Sequence, residues 1–245
     1  MSAFKSNGEI AAHPLGLPTQ FDFSVFSDAW EAGGLGRYAI NSAIVTAAST
    51  SLVLVVASMA GFALSKLEFR GSGLVMGIFT LGLLLPIQSY FIAQNQIFEV
   101  FNLKDTRMAL IVPYTAMGIP LAVWLFKSYI DSMPRELFEA ARVDGTTDLE
   151  IYRYLMVPII RPALVTVGIF TALGAWNEFL LALLYVQDDS LKTIPTGLLA
   201  FSSKYVTDYR MLFAALTMVT VPMIAIYVAF NRQIVSGLTQ GSVKG

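Results

Sequence analysis

The sequence predicts an all-α membrane protein, a polytopic bundle of about five transmembrane helices joined by one helix-turn-helix loop. Of the 245 residues, 56% are hydrophobic and only 13% charged, against about a quarter charged in an ordinary soluble domain. The apolar residues also fall into five blocks close to the roughly 20 residues that an α-helix needs to cross the hydrocarbon. Charge gathers between two of these blocks, in one conspicuously polar stretch.

Residues 1–37 come first. They contain Gly8, Pro14, Gly16 and Pro18 and read as an irregular segment, expected on the outer face. No apolar core long enough for a signal peptide is expected there. The first span, Tyr38 to Ser65, carries no charge. The second, Gly71 to Phe98, is also uncharged and is interrupted by Pro86. Its Gly73 and Gly77 have GxxxG spacing, a weak packing signal. The third, Met108 to Phe126, is framed by Arg107 and Lys127, whose long side chains can reach the headgroups. Pro162 to Gln187 holds a single acid, Glu178, and Met211 to Asn231 holds Pro222. The prolines are expected to kink these helices without breaking them, because membrane helices re-satisfy the freed carbonyls.

Lysine and arginine set the orientation, since positive charge is retained in the cytoplasm. Lys66, Arg70, Lys127, Arg135, Arg142, Arg153, Arg161, Arg232 and Lys244 share one face, while Lys5, Arg37, Lys104, Arg107, Lys192, Lys204 and Arg210 are spread over longer segments of the other. The first group is assigned to the cytoplasm. This places the polar loop inside, the amino terminus outside, and 232–245 as a cytoplasmic tail. An outer amino terminus without a preceding span is awkward to translocate, so either the polar head crosses unaided or a helix precedes Met1.

The polar loop, "RELFEAARVDGTTDLEIYRYLMVPIIRPAL" (Arg135 to Leu164), has its own grammar. Pro134 suits a first helical turn, good helix formers run from Arg135 to Val143, and Asp144-Gly145 provides a terminus. Thr147 and Glu150 then have capping-box spacing, opening a second helix towards Pro158. Ala140 and Ala141 leave a small-residue surface that another protein can approach, with Leu137 and Phe138 as apolar anchors. Docking into a groove of a partner and lying amphipathically at the headgroups both fit this pattern.

Glu139-Ala140-Ala141, then three residues, Gly145, nine residues and Leu155-Met156-Val157-Pro158 resemble the EAA loop of permease subunits of ATP-binding-cassette importers, E-A-A-x3-G-x9-I-x-L-P. Leu155 replaces Ile and Val157 replaces Leu. "AWNEFLLALLYVQDDSLKTIPTGLLAF" (Ala175 to Phe201) and "VSGLTQGSVKG" (Val235 to Gly245) resemble maltose-type carbohydrate permeases, the second-subunit branch. "MSAFKSNGEI" is similar to the segment after the first span of such subunits. That family usually has six spans, so a truncated reading frame or a five-span variant is expected.

The resemblance implies a permease domain over 38–231 with its coupling loop at 129–158, in a bacterial or archaeal plasma membrane. It implies Glu139, Ala140, Ala141, Asp144, Gly145 and Pro158 as the elements that engage an ATPase, Glu139 making a polar contact and Gly145 fixing the turn. The tail from Ser236 is expected either to reach the ATPase or to be disordered. Implied partners are a second permease subunit, two ATP-binding-cassette ATPases, an extracytoplasmic sugar-binding protein and membrane lipid.

Several chemistries have no footing. The chain has no cysteine, so disulfides and thiolate sites are excluded. No phosphate-cradling glycine loop with Lys-Ser or Lys-Thr appears, so ATP and Mg belong to partner subunits and this chain is expected to bind no cofactor. Ser-His-Asp and paired-carboxylate constellations are absent from the sequence, so it is read as a transporter subunit and not an enzyme. His13 lacks ligand-spaced neighbours and reads as a surface residue, and a net charge of −1 points to no nucleic acid.

Polar groups inside spans are costly unless they face the bundle or water. Asn41, Thr46, Ser49, Gln88, Asn177 and Glu178 are therefore candidates for a translocation path. Glu178 fits an outer vestibule or a pairing with a neighbouring subunit, and Trp176 an interface anchor or a sugar platform. The rival reading, an ion-gradient-driven secondary transporter or channel, would need mid-membrane charges and an inverted repeat. The spans supply neither beyond Glu178.

Overall fold

The computed structural model describes residues 1–202 and 207–240, with backbone alone at Ile226 and at 229–240. Lys204, Lys244 and the end of the tail from Gly241 lie outside the described residues, as do the side chains of Arg232 and Ser236. The described chain is all-α, its one β feature an isolated bridge between Ser202 and Thr207.

The helices are α1 (Asn7–Ala12), α2 (Ser24–Ala32), α3 (Leu35–Lys66), α4 (Ser72–Leu84), α5 (Phe91–Val100), α6 (Met108–Asp131), α7 (Glu136–Val143), α8 (Asp148–Ile159), α9 (Arg161–Asn177), α10 (Leu180–Tyr185) and α11 (Tyr209–Gln240). Short helical turns at Asp189–Leu191, Ile194–Gly197 and Leu198–Phe201 lie between α10 and α11. Each of the five apolar blocks contains helix. α3 and α6 are long and apolar enough to cross a membrane unaided. α8 and α9 form a bent pair with an angle of 78°, and α4 and Tyr209–Ala225 are shorter apolar helices.

Two expected spans are broken. At Pro86 the chain does more than kink: Leu85 is extended (ψ 118°) and a 3-10 turn, Ile87–Ser89, separates α4 from α5. The clash of a proline ring with the preceding residue disfavours helix there, and the N–H missing at Pro86 cannot bridge the gap. The span from Pro162 is interrupted at Glu178-Phe179. Both carboxylate oxygens of Glu178 accept the Leu181 N–H, at 3.0 and 3.1 Å, and Oε2 also accepts that of Ala182 at 3.2 Å. These are the orphan donors of a fresh helix start, so this acid opens α10. By contrast Pro113, Pro120 and Pro222 sit inside continuous helices, as expected.

The chain divides into two compact units. The first comprises Met1–Val45, Leu103–Leu110 and Trp176–Ala229. Its amino-terminal segment is ordered where irregular chain was expected. A Ser6/Glu9 capping box starts α1, and buried Lys5 donates to the carbonyls of His13 (2.9 Å) and Pro14 (3.1 Å). Phe4 meets Phe21, Phe23 and Phe26 edge-on. Asn7 ties the segment to Thr207 and Tyr209, and Arg210 pairs with Asp22 at 2.6 Å. Val25, Ala29, Leu35 and Tyr38 pack there with Ile194, Phe201, Ala214 and Ala215.

The second unit comprises Thr46–Asn102, Ile111–Ala175 and Phe230–Gly245. Its core joins Val53, Ala57 and Phe62 of α3 to Val123, Phe126 and Ile130 of α6 and to Phe138, Ile151 and Met156 of the polar loop. At the crossing of α3 and α6, a side chain on Gly61 would stand 2.8 Å from Phe126 Cβ, so only glycine lets the two backbones approach this closely. α4 buries no residue within the chain, and Leu74, Leu81 and Leu84 on it are exposed. In hydrocarbon that exposure carries no hydrophobic penalty.

Candidate coupling site

α7 follows from its sequence. Glu136 and Glu139 lie in its first turn and Arg142 in its last, each complementing the helix dipole. Pro134 precedes the N-cap Arg135, one step outside the first turn expected for it. At the other end Gly145 has φ +82°, its N–H donates to Arg142 O (3.0 Å) and the Thr146 N–H donates to Ala141 O (3.2 Å). This 6→1 and 5→2 pair is a Schellman ending. The Thr146 hydroxyl reinforces it by donating to Ala141 O as well.

α8 opens on the expected capping box. Thr147 N–H donates to Glu150 Oε2 at 2.8 Å, and Glu150 N–H donates to Thr147 Oγ1 at 3.4 Å. The hydrogen bonds from Thr147 hold the Glu150 carboxyl below its ordinary value. Arg142 donates to Asp148 Oδ1 through Nε (3.2 Å) and a terminal nitrogen (2.9 Å), so the end of α7 is tied to the start of α8. Within α8, Ile151–Met156 is π-helical, and the Val157 N–H reaches back to Tyr152 O. This widened turn directly precedes Pro158, which has no N–H to give.

The loop is pinned to its own subunit. Phe138 is 5% exposed and lies 6.4 Å from the Phe62 ring, with Lys66 Nζ 4.6 Å from its own ring centroid. Lys66 also donates to Met133 O at 3.1 Å, and Ser65 donates to Asp131 at 2.6 Å. Tyr152 lies 5.7 Å from Phe62, its hydroxyl 2.7 Å from Ser58 Oγ. Phe138 is thus no anchor for another protein. It faces inward with half-buried Ala141, three residues on, while Leu137, Glu139, Ala140, Asp144 and Gly145 face outward.

Of the residues picked out from the sequence, Glu139, Ala140, Asp144 and Gly145 form one exposed surface, Ala141 instead packs half-buried against the subunit's own core, and Pro158 lies exposed at the far end of α8. Sequence reasoning missed Val143 (87% exposed) and Leu149 (66%), the apolar residues that flank the glycine turn on the open face. It also missed the Arg142–Asp148 tie. Spacing alone held no signal that picks Phe138 over Leu137: on a helical wheel Ala141 lies between the two, Leu137 four residues and Phe138 three residues before it.

The translocation candidates part ways. In the first unit Asn41 is 1% exposed, its amide donating to Ser190 O (2.8 Å) and Lys192 O (3.1 Å) and its carbonyl accepting from Arg107 (3.0 Å). It ties three segments together. Asn177 is the exposed last residue of α9, next to the capping Glu178, and the half-buried Trp176 keeps a buried indole N–H without a partner among the described residues. In the second unit the Thr46 hydroxyl is buried with no such partner, Ser49 donates to Thr46 O (3.2 Å), and Gln88 is exposed in the 3-10 turn that follows the extended Leu85 and Pro86.

Residues 53–240 match the family model described as binding-protein-dependent transport system inner membrane component. The chain is 37% identical over 245 residues to a probable ABC transporter permease protein, YurM, of Bacillus subtilis, covering all of this chain and 81% of that protein. It is 34% identical over 249 residues to the diacetylchitobiose uptake system permease protein NgcG of Streptomyces coelicolor, covering all of this chain and 82% of that one. Among solved structures it resembles a bacterial ABC transporter involved in import of the acidic polysaccharide alginate, with a TM-score of 0.79 at 20% identity over 94% of this chain and 86% of that one. That last likeness is one of fold.

Proposed function

Because this chain belongs to the family of binding-protein-dependent transport system inner membrane components, we propose that it is a permease subunit carrying a sugar or oligosaccharide, delivered by an extracytoplasmic binding protein, across a bacterial or archaeal plasma membrane. As a multi-pass inner-membrane component it works with other subunits and is not itself an enzyme; ATP is hydrolysed on a separate subunit. In this reading those subunits are a second permease and two ATP-binding-cassette ATPases, which bind ATP and Mg.

One observation carries the reading: a helix that exposes Glu139 and Ala140, closed by Gly145, is locked to its own subunit through Phe138 and Tyr152. A lever must be stiff where it is gripped, since a compliant loop would absorb the motion it should transmit. Closure of the ATPases would draw the lever with it and rock the spans. Glu139 supplies a polar contact, while Ala140, Asp144, Val143 and Leu149 meet the cleft wall. In this reading 1–37 lies outside, the permease domain covers 38–231 with its loop at 129–158, and the tail 232–245 lies inside.

For the path, Thr46 and Gln88 are the stronger candidates. A buried hydroxyl with no partner among the described residues, as on Thr46, is one that water or another subunit can satisfy. Extended backbone such as that of Leu85 and Pro86, just before Gln88, is tolerated at membrane depth only inside protein or beside a water-filled cavity. Asn41 and Glu178 already serve the fold, which weakens them as liners. The relatives support powered import over the ion-gradient alternative. Co-purification with the ATPase and uptake by Gly145→Asp test the reading: a loop that couples loses uptake in that variant, while unchanged uptake with no ATPase brought down would overturn it.

A further inference from the structure

A cavity of about 640 Å³ opens beside the turn from α2 to α3, within the first unit, at the segment carrying Asp189. Its size falls in the range of small-molecule sites, roughly 300–1,000 Å³. Trp30 forms one wall. Trp30 is 47% exposed, and a side chain on Gly36 would stand 3.2 Å from its Cζ2, so part of the ring lies against bare backbone.

Charged groups surround this aromatic plate. Asp189 accepts from Lys192 at 2.8 Å and from the Tyr38 hydroxyl at 3.1 Å, which fixes the carboxylate and leaves lone pairs on both oxygens. Those two bonds, Lys192 first, hold its carboxyl below the ordinary value. Arg37 and Glu31 line the same cavity and are exposed, and neither forms an ion pair among the described residues.

The geometry points to a sugar subsite here, with Trp30 stacked on the apolar C–H face of a pyranose ring and Asp189 and Arg37 bonding its rim of hydroxyls. A sugar ring has one greasy face and a belt of donors and acceptors. A half-open indole beside a fixed carboxylate and a guanidinium held in no direct ion pair among the described residues matches both. Tyr38 and Lys192 act as positioning residues that orient Asp189. The inference rests on the proposed function, which places this cavity on the outer face, where sugar arrives. It adds a contact made by this subunit itself.

The test is equilibrium dialysis of the permease–ATPase complex, purified without binding protein in lipid nanodiscs, against radiolabelled raffinose and diacetylchitobiose. Saturable retention of at least one sugar is expected. Trp30→Ala should weaken it about tenfold or more, Asp189→Asn by a smaller factor, and Trp30→Phe least, because a ring remains. ATPase co-purification with each variant checks assembly, and Trp30→Phe keeps the test alive if the alanine variant fails to assemble. If neither sugar is retained, or if Trp30→Ala binds like the wild type, the subsite is overturned. A cavity that takes no sugar but cross-links from position 31 to the binding protein also overturns it, in favour of a protein contact. In these cases an ATPase that still co-purifies leaves the importer reading standing.

Discussion

The phenol oxygen of Tyr152 lies 2.7 Å from Ser58 Oγ, joining α8 to α3 across 94 residues of sequence. Ser58 also donates to Leu54 O, so its hydroxyl is never left without a partner when the tyrosine is lost. Tyr152→Phe should therefore cost about 0.5–1.5 kcal/mol, the net worth of one hydrogen bond. A double-mutant cycle with Ser58→Ala on thermal inactivation of the solubilised protein checks it. Additive effects would deny the bond.

Phe138→Ala removes the ring that holds α7 to the core. A buried phenylalanine cut to alanine typically costs about 3–5 kcal/mol, and here Lys66 also loses the ring it stands over. The thermal midpoint should fall well below that of Leu137→Ala, whose side chain faces outward. ATP-driven uptake should drop in both variants for different reasons: lost stiffness in the first, lost contact in the second. Equal midpoints would contradict the inward placement.

Gly145 offers a cleaner experiment, because a Cβ there meets nothing within 4 Å and only the backbone objects. With φ at +82°, alanine should cost about 1–2 kcal/mol and asparagine less. Uptake should follow the same order, wild type above Asn above Ala. Identical stability of the alanine variant would mean that the turn is not left-handed.

Acid should loosen the start of α8. Hydrogen bonds from Thr147 depress the Glu150 pKa below 4.5, so the carboxylate contributes stability above its unfolded value, and that contribution is lost as pH falls through the folded one. Exchange protection of the Thr147 and Glu150 amides should decline over that window. Glu150→Gln, which keeps an acceptor but cannot titrate, should show no such decline.

The sequence made the membrane class, the five apolar blocks and the two-helix loop legible, because period, block length and cap spacing are local properties. The capping box at Thr147/Glu150 and the terminus at Gly145 were readable for the same reason. What escaped depended on distant partners. Glu178 reads as a charge in a span until Leu181 and Ala182 are seen donating to it, and Asn41 as a path residue until Ser190 and Arg107 are found around it. Pro86 breaks its helix while Pro113, Pro120 and Pro222 do not, a difference that the pyrrolidine ring alone does not encode.

Contact between α7 and the motor is the claim on which the account turns. A photo-reactive side chain at position 140, in the complete transporter in membranes, reads it directly. The account predicts an adduct with the ATPase subunit whose yield changes when ATP is added. Adducts with lipid alone, in every nucleotide state, would contradict it.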